Sequence, residues 1–105
     1  IMFGEYISDP GVLGRLDALA AVLAELSDAN TLLVSSTDLS HLNNYADVVR
    51  IDQQLVELVD AFDVEGVSAA LQTGQVMACG ATGLVATLKT AQKLGARGAR
   101  VLAHT

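Results

Sequence analysis

Residues 31–41, TLLVSSTDLSH, decide the predicted fold. The first half is the apolar run 32–34, and the polar second half contains Asp38 and His41. A short apolar run with a β-branched residue is typical of a strand that is buried on both faces of a sheet. In open α/β sheets, ligands bind at the carboxyl ends of the strands. The segment therefore predicts a buried strand that brings an aspartate and a histidine to a pocket.

The remaining patterns predict two more strands and four helices. Apolar spacing predicts helices over 10–26, 45–62, 64–73 and 81–94, and apolar runs predict strands over 1–7 and 99–104. Asp9 and Pro10 are expected to start the first helix, and Asp63 to cap the third. Gly74 and Gly95 are expected to end the third and fourth helices. We therefore expect an α/β domain with a mostly parallel sheet flanked by helices.

Composition and charge exclude several classes of function. The chain has 105 residues, of which 51% are hydrophobic, which indicates one small globular domain or part of a larger one. A net charge of −6 argues against a nucleic-acid partner. The apolar runs are too short to span a membrane, and the N-terminus shows no signal-peptide pattern. The single cysteine, Cys79, fits a reducing compartment, so we expect a cytoplasmic protein.

Asp38 and His41 are the first candidate site. An aspartate three residues before a histidine can orient the imidazole, which then serves as a general acid/base or a metal ligand. The alternative is a turn in which Asp38 or Ser40 caps the next helix and His41 lies on the surface. The position at the end of a strand favours the functional interpretation.

Other arrangements of these side chains are less favoured. Ser35 and Ser36 precede Asp38 and His41, which suggests a serine hydrolase, but the GxSxG motif is absent and triad partners normally come from separate elements. The second histidine, His104, is expected at the end of the last strand. The alternative is that His104 lines the same pocket as Asp38 and His41.

Cys79 is the second candidate, because it precedes Gly80 and the predicted start of the fourth helix. Unpaired N–H groups at a helix start favour the thiolate, which is the form that attacks or binds metal. The alternative is a buried structural cysteine that packs as a small apolar residue, and the residues alone favour that alternative.

Two motifs stand out, SSTDLSH at 35–41 and ACGATGLVATLKTAQKLGA at 78–96. Together they resemble those of the Memo-like proteins, whose prokaryotic members are often named AmmeMemoRadiSam system protein B. The family pattern is S-S-D-x-x-H after a strand, then two helices, then C-G at the start of a helix; this chain has one extra residue in SSTD. The resemblance implies a fold similar to class III extradiol dioxygenases, and it identifies residues 1–105 as the C-terminal portion of a single, incomplete Memo-like domain.

The resemblance also implies roles for the candidate residues. His41 matches the acid/base histidine of the family's pocket, and Asp38 matches the aspartate beside it. Cys79 matches a cysteine that joins two histidines as a metal ligand. Those histidines belong to the family's N-terminal half, which this sequence does not include. We therefore expect iron or copper in a complete site, but no tight metal binding by this chain alone.

Two functions follow from the resemblance. The first is a metal-dependent redox or dioxygenase-like enzyme with a His/Cys pocket. The second is a non-enzymatic interaction or adaptor module that binds partners in the same pocket. The expected partners are a radical-SAM protein of the same system and an N-terminal half, with self-association through exposed apolar surface as a further expectation.

Overall fold

The computed structural model describes residues 6–37 and 45–102. This part of the chain contains four helices: α1 (Val12–Leu26), α2 (Tyr45–Asp60), α3 (Val64–Gln72) and α4 (Ala81–Lys93). The four helices predicted from apolar spacing are confirmed, and their ends lie within two residues of the predicted ones. The predicted start of the first helix at Asp9 and Pro10 is wrong, because α1 begins at Val12 and its N-cap is Gly11. Asp9 instead closes the preceding turn, where its Oδ2 accepts the Tyr6 N–H at 3.2 Å.

The predicted α/β architecture is wrong, because residues 6–37 and 45–102 form helices and loops without a sheet. Residues 31–37 have no regular secondary structure, and the side chains of Leu32 and Val34 are 85% and 81% exposed. A buried parallel strand needs hydrogen-bonded neighbours on its sides and packed layers on both faces. The apolar run 32–34 has no such covering layers, so neither a parallel sheet nor the dioxygenase-like layering describes this structure.

The other two predicted strands are also absent within the described residues. Tyr6 and Ile7 lie at a turn, and residues 99–102 have no regular secondary structure, with Leu102 87% exposed. Residues 1–5 and 103–104, which complete these two predictions, lie outside the described residues.

The hydrophobic core lies where α4 meets α1 and α3, and α2 packs against α3. Each helix buries residues from one face, as its spacing predicts. Val76, in the link between α3 and α4, is also buried. The core residues of the helices are Val12, Leu16, Ile51, Leu55, Val67, Ala70, Leu71, Ala81, Val85 and Ala86.

The other helix ends predicted from single residues, at Asp63, Gly74 and Gly95, are confirmed. Asp63 Oδ1 accepts the Gly66 N–H at 2.9 Å, which satisfies one of the free donors at the start of α3. Gly74 and Gly95 have positive φ angles of 79° and 92°, the left-handed conformation in which helices commonly end. The link between Gly74 and α4 brings Cys79 to the start of that helix.

Candidate functional site

A cavity of about 870 Å³ opens between residues 33–36, the link 74–80 and the first turns of α4. Its wall is largely apolar, with Leu33, Val34 and Met77 among the lining side chains. Cys79 and Thr82 also line it. None of the described lining residues is charged, so polarity on this wall comes from hydroxyls, the thiol, the Gln72 amide and backbone groups.

Cys79 is exposed and free at the edge of this cavity. The interpretation of a buried structural cysteine is therefore wrong. The next residue, Gly80, caps α4 with φ 73°, and α4 begins at Ala81 as predicted. This left-handed turn leaves the thiol directly before a helix N-terminus.

Ser36 and Thr37, which precede the predicted Asp38–His41 site in the sequence, lie against Cys79 and Gly80. The Thr37 hydroxyl donates a hydrogen bond to the Cys79 carbonyl, across 42 residues of sequence. The Ser36 carbonyl faces Gly80, where a β-carbon would lie 2.7 Å from its oxygen. Ser35 and Ser36 both line the cavity.

Asp38, His41 and His104 lie outside the described residues, so their assignments stay predictions. Thr37, the residue before Asp38 in the sequence, donates its hydroxyl hydrogen bond to the Cys79 carbonyl. The two motifs of the sequence analysis therefore approach each other at 36–37 and 79–80.

The described residues do not by themselves fit a metal ion. Across 6–37 and 45–102, no group of three or more His, Cys, Asp or Glu side chains could hold one. Cys79 is the one predicted metal ligand that falls in this part of the chain. A thiolate is a soft donor that suits copper and iron, but one ligand does not make a stable site.

Sequence reasoning missed Thr82, which lies on the cavity wall and is only 6% exposed. It also missed the close approach of Ser36 to Gly80. The signal for Thr82 was its place in the first turn after the Cys-Gly pair, where backbone donors are free. The signal for Gly80 was weaker, since a glycine before a helix has several uses.

Comparison with known proteins identifies the family. A family model for Memo-like proteins matches residues 14–105. The chain belongs to the Memo-like protein family. Within this family it is 26% identical over 88 residues to a MEMO1 family protein of Saccharolobus solfataricus. It is 27% identical over 88 residues to a MEMO1 family protein of Methanopyrus kandleri.

The matched region covers 84% of this chain and 31% of each of these Memo relatives, so the chain spans about a third of their length. Both motifs that resemble the family, at 35–41 and 78–96, fall within the match. No solved structure matches the chain. None of the helices in the described part of this Memo-like chain is long and apolar enough to cross a membrane.

Proposed function

We propose that this Memo-like chain forms part of the pocket of a metal-dependent redox or dioxygenase-like enzyme. Cys79 is the metal ligand, and His41, oriented by Asp38, is the acid/base group. One observation supports this proposal above the others: Cys79 is exposed on a cavity, and Thr37, the residue before Asp38, is bonded to its carbonyl. A thiolate ligand favours copper or iron over harder ions.

The roles follow from the chemistry of the three side chains. A carboxylate that accepts a hydrogen bond from one ring nitrogen of His41 fixes the tautomer and leaves the other nitrogen free to take or give a proton. Cys79 supplies a single soft donor, whereas stable sites use about three or four protein ligands. We propose that the other ligands are the two histidines that the resemblance assigns to the N-terminal half of the family.

Oxygen uptake by a complex of this chain with the N-terminal half tests this proposal, because this chain alone should bind metal only weakly. The complex is loaded with iron(II) or copper(I), freed of unbound metal, and supplied with ascorbate or catechol as the reduced co-substrate. We expect metal-dependent uptake that is lost in Cys79→Ser and reduced in His41→Gln, with His104→Gln as the matched histidine control. Uptake that is equal in the wild type and in Cys79→Ser would contradict the role of the thiol.

A non-enzymatic interaction module is the second candidate. Its support is the exposed apolar side chains near the same cavity, including Tyr6, Val34 and Met77. Such a surface suits a radical-SAM system protein, an N-terminal half or a second copy of this chain.

Sedimentation of the wild type and two variants distinguishes self-association at this surface from non-specific association. We expect Val34→Asp to shift the chain towards monomer. Leu102→Asp is the matched control, because Leu102 is equally exposed but lies away from the cavity. Self-association that is unchanged in Val34→Asp, or a wild type that is monomeric at all concentrations, would count against this form of the module.

A further inference from the structure

We infer that the start of α4 is a carboxylate-binding subsite for a small ligand with an apolar body. The first intrahelical hydrogen bond of α4 runs from the Leu84 N–H to the Gly80 carbonyl, at 3.0 Å. The N–H groups of Ala81, Thr82 and Gly83 precede it, and Gly80 supplies no side-chain cap. Within the described residues these three donors have no hydrogen-bond acceptor. All three residues line the cavity.

The Thr82 hydroxyl is an independent sign of a ligand. Thr82 is 6% exposed, and its hydroxyl makes no hydrogen bond among the described residues. Every fully buried side-chain oxygen in this part of the chain has a hydrogen-bond partner. The Thr82 hydroxyl has none, so it belongs to the solvent-accessible part of this side chain. Because Thr82 lines the cavity, the hydroxyl opens onto it.

Other buried hydroxyls in the helices behave differently. Ser68 donates to the Val64 carbonyl at 2.8 Å, and Thr90 donates to the Ala86 carbonyl at 2.7 Å. Each uses the carbonyl one turn earlier in its own helix. Thr82 lies in the first turn of α4 and makes no such bond, which leaves its hydroxyl available to a ligand.

The N–H and hydroxyl donors favour a negatively charged group, and the apolar walls favour a hydrocarbon body on the same ligand. Three N–H groups at the positive end of a helix dipole, with one hydroxyl beside them, favour a negatively charged acceptor. The described wall has no cationic side chain to balance a second charge, so a monocarboxylate fits better than a phosphate dianion. Leu33, Val34 and Met77 offer apolar surface to a hydrocarbon body.

This subsite does not depend on the proposed metal chemistry, because none of its donors belongs to Cys79 or His41. Octanoate is therefore tested by calorimetry on the purified chain in buffer that contains a chelator. Octanamide, which has the same chain length and no charge, is the neutral comparison. The variants are Thr82→Val, which lacks the hydroxyl, and Thr82→Ser, which keeps it. Thr90→Val is the matched control in the same helix.

We expect octanoate to bind about tenfold more tightly than octanamide, since hydrogen bonds to a charged acceptor are the stronger ones. Thr82→Val should bind octanoate about tenfold more weakly, while Thr82→Ser and Thr90→Val should stay within about twofold of the wild type. Cys79→Ser should bind octanoate like the wild type, whatever its effect on metal.

In the wild-type chain, equal affinity for octanoate and octanamide, or no binding of octanoate, would by itself overturn the proposal. Unchanged octanoate affinity in Thr82→Val, with helicity preserved by circular dichroism, would also overturn it. Loss of octanoate binding in Cys79→Ser would assign the anion to the thiol instead of the start of α4.

Discussion

Gly80 and Ser36 meet so closely that a β-carbon at position 80 would lie 2.7 Å from the Ser36 carbonyl oxygen. Gly80 also has a φ angle of 73°, which favours glycine for a second reason. The contact joins the two motifs that identify the family, and beside it Thr37 bonds to the Cys79 carbonyl. The shape of the cavity beside Cys79 therefore depends on a residue without a side chain.

Gly80→Ala should destabilise the chain by about 3 kcal/mol, because the left-handed conformation costs about 1 to 2 kcal/mol and the overlap with Ser36 adds to it. Gly74→Ala is the matched control, since Gly74 has a similar φ of 79° and open space around it. Urea unfolding measures both. Equal losses in the two variants would show that the contact with Ser36 contributes nothing to stability.

Lys89 and Asp17 join α4 to α1, with Nζ 2.9 Å from Oδ1. The Lys89 side chain is 7% exposed, whereas that of Asp17 is 56% exposed. Asp17→Asn should cost about 2 kcal/mol, because it leaves a buried ammonium without its counter-charge. Lys89→Met keeps the apolar stem without the charge and should cost less than about 1 kcal/mol.

Arg50→Gln is the control for this pair, because Arg50 contacts Asp47 at 3.4 Å with its own side chain 69% exposed. Its unfolding free energy should change by less than about 0.5 kcal/mol. If Asp17→Asn lowered the unfolding free energy as little as Arg50→Gln, then a group other than Asp17 would stabilise the Lys89 ammonium.

The helices could be predicted from the sequence because their signals are local. Apolar spacing located α1 to α4, and single residues marked their ends, such as Asp63 and Gly74. Lys89 shows the limit of this reasoning. Lys89 lies near the end of α4, where a cation complements the helix dipole, but its partner, Asp17, lies 72 residues away. No local pattern specifies such a partner.

The sheet could not be predicted, because a strand depends on neighbours that its own residues do not specify. The run 32–34 has the composition of a buried strand, but Leu32 and Val34 face solvent. The same run still brings Ser36 and Thr37 to Cys79, so the meeting of the two motifs at 36–37 and 79–80 arises without a sheet.

The candidate site was predictable in part. The start of α4 directly after Cys79 and Gly80 follows from local sequence. The exposure of Cys79 does not, because a lone cysteine is most often buried. The place of Thr82 in the first turn after Cys79 and Gly80 is visible in the sequence, but the lack of a partner for its hydroxyl among the described residues is not.

Asp63 should stabilise α3 by about 1 kcal/mol through its bond to the Gly66 N–H. Asp63→Ala should therefore lower the unfolding free energy by about that amount, whereas Asp63→Ser should keep most of it. Glu65→Gln controls for the loss of a negative charge in the same turn. A loss in Glu65→Gln as large as in Asp63→Ala would indicate the helix dipole and not the cap.

Gly14→Ala should raise the unfolding free energy by about 1 kcal/mol, because Gly14 lies inside α1 with nothing within 4 Å of an added β-carbon. Gly66→Ala is the opposite case within a helix, since the β-carbon would lie 2.2 Å from Asp63 Oδ2. It should destabilise the chain by displacing the cap. Thermal unfolding of the two variants checks both signs, and a destabilised Gly14→Ala would show that α1 has a close neighbour at that position.

Metal binding by this chain alone should be weak, because Cys79 is the one predicted ligand among the described residues and no cluster there completes a site. Calorimetric titration with copper(I), iron(II) or zinc should therefore give no tight stoichiometric complex. Any residual binding should disappear in Cys79→Ser, since the thiolate is the strongest donor available. His104→Gln should leave that residual binding unchanged, whereas His41→Gln should weaken it further. Tight binding that survives Cys79→Ser would place the metal away from the cavity and would contradict the role given to Cys79.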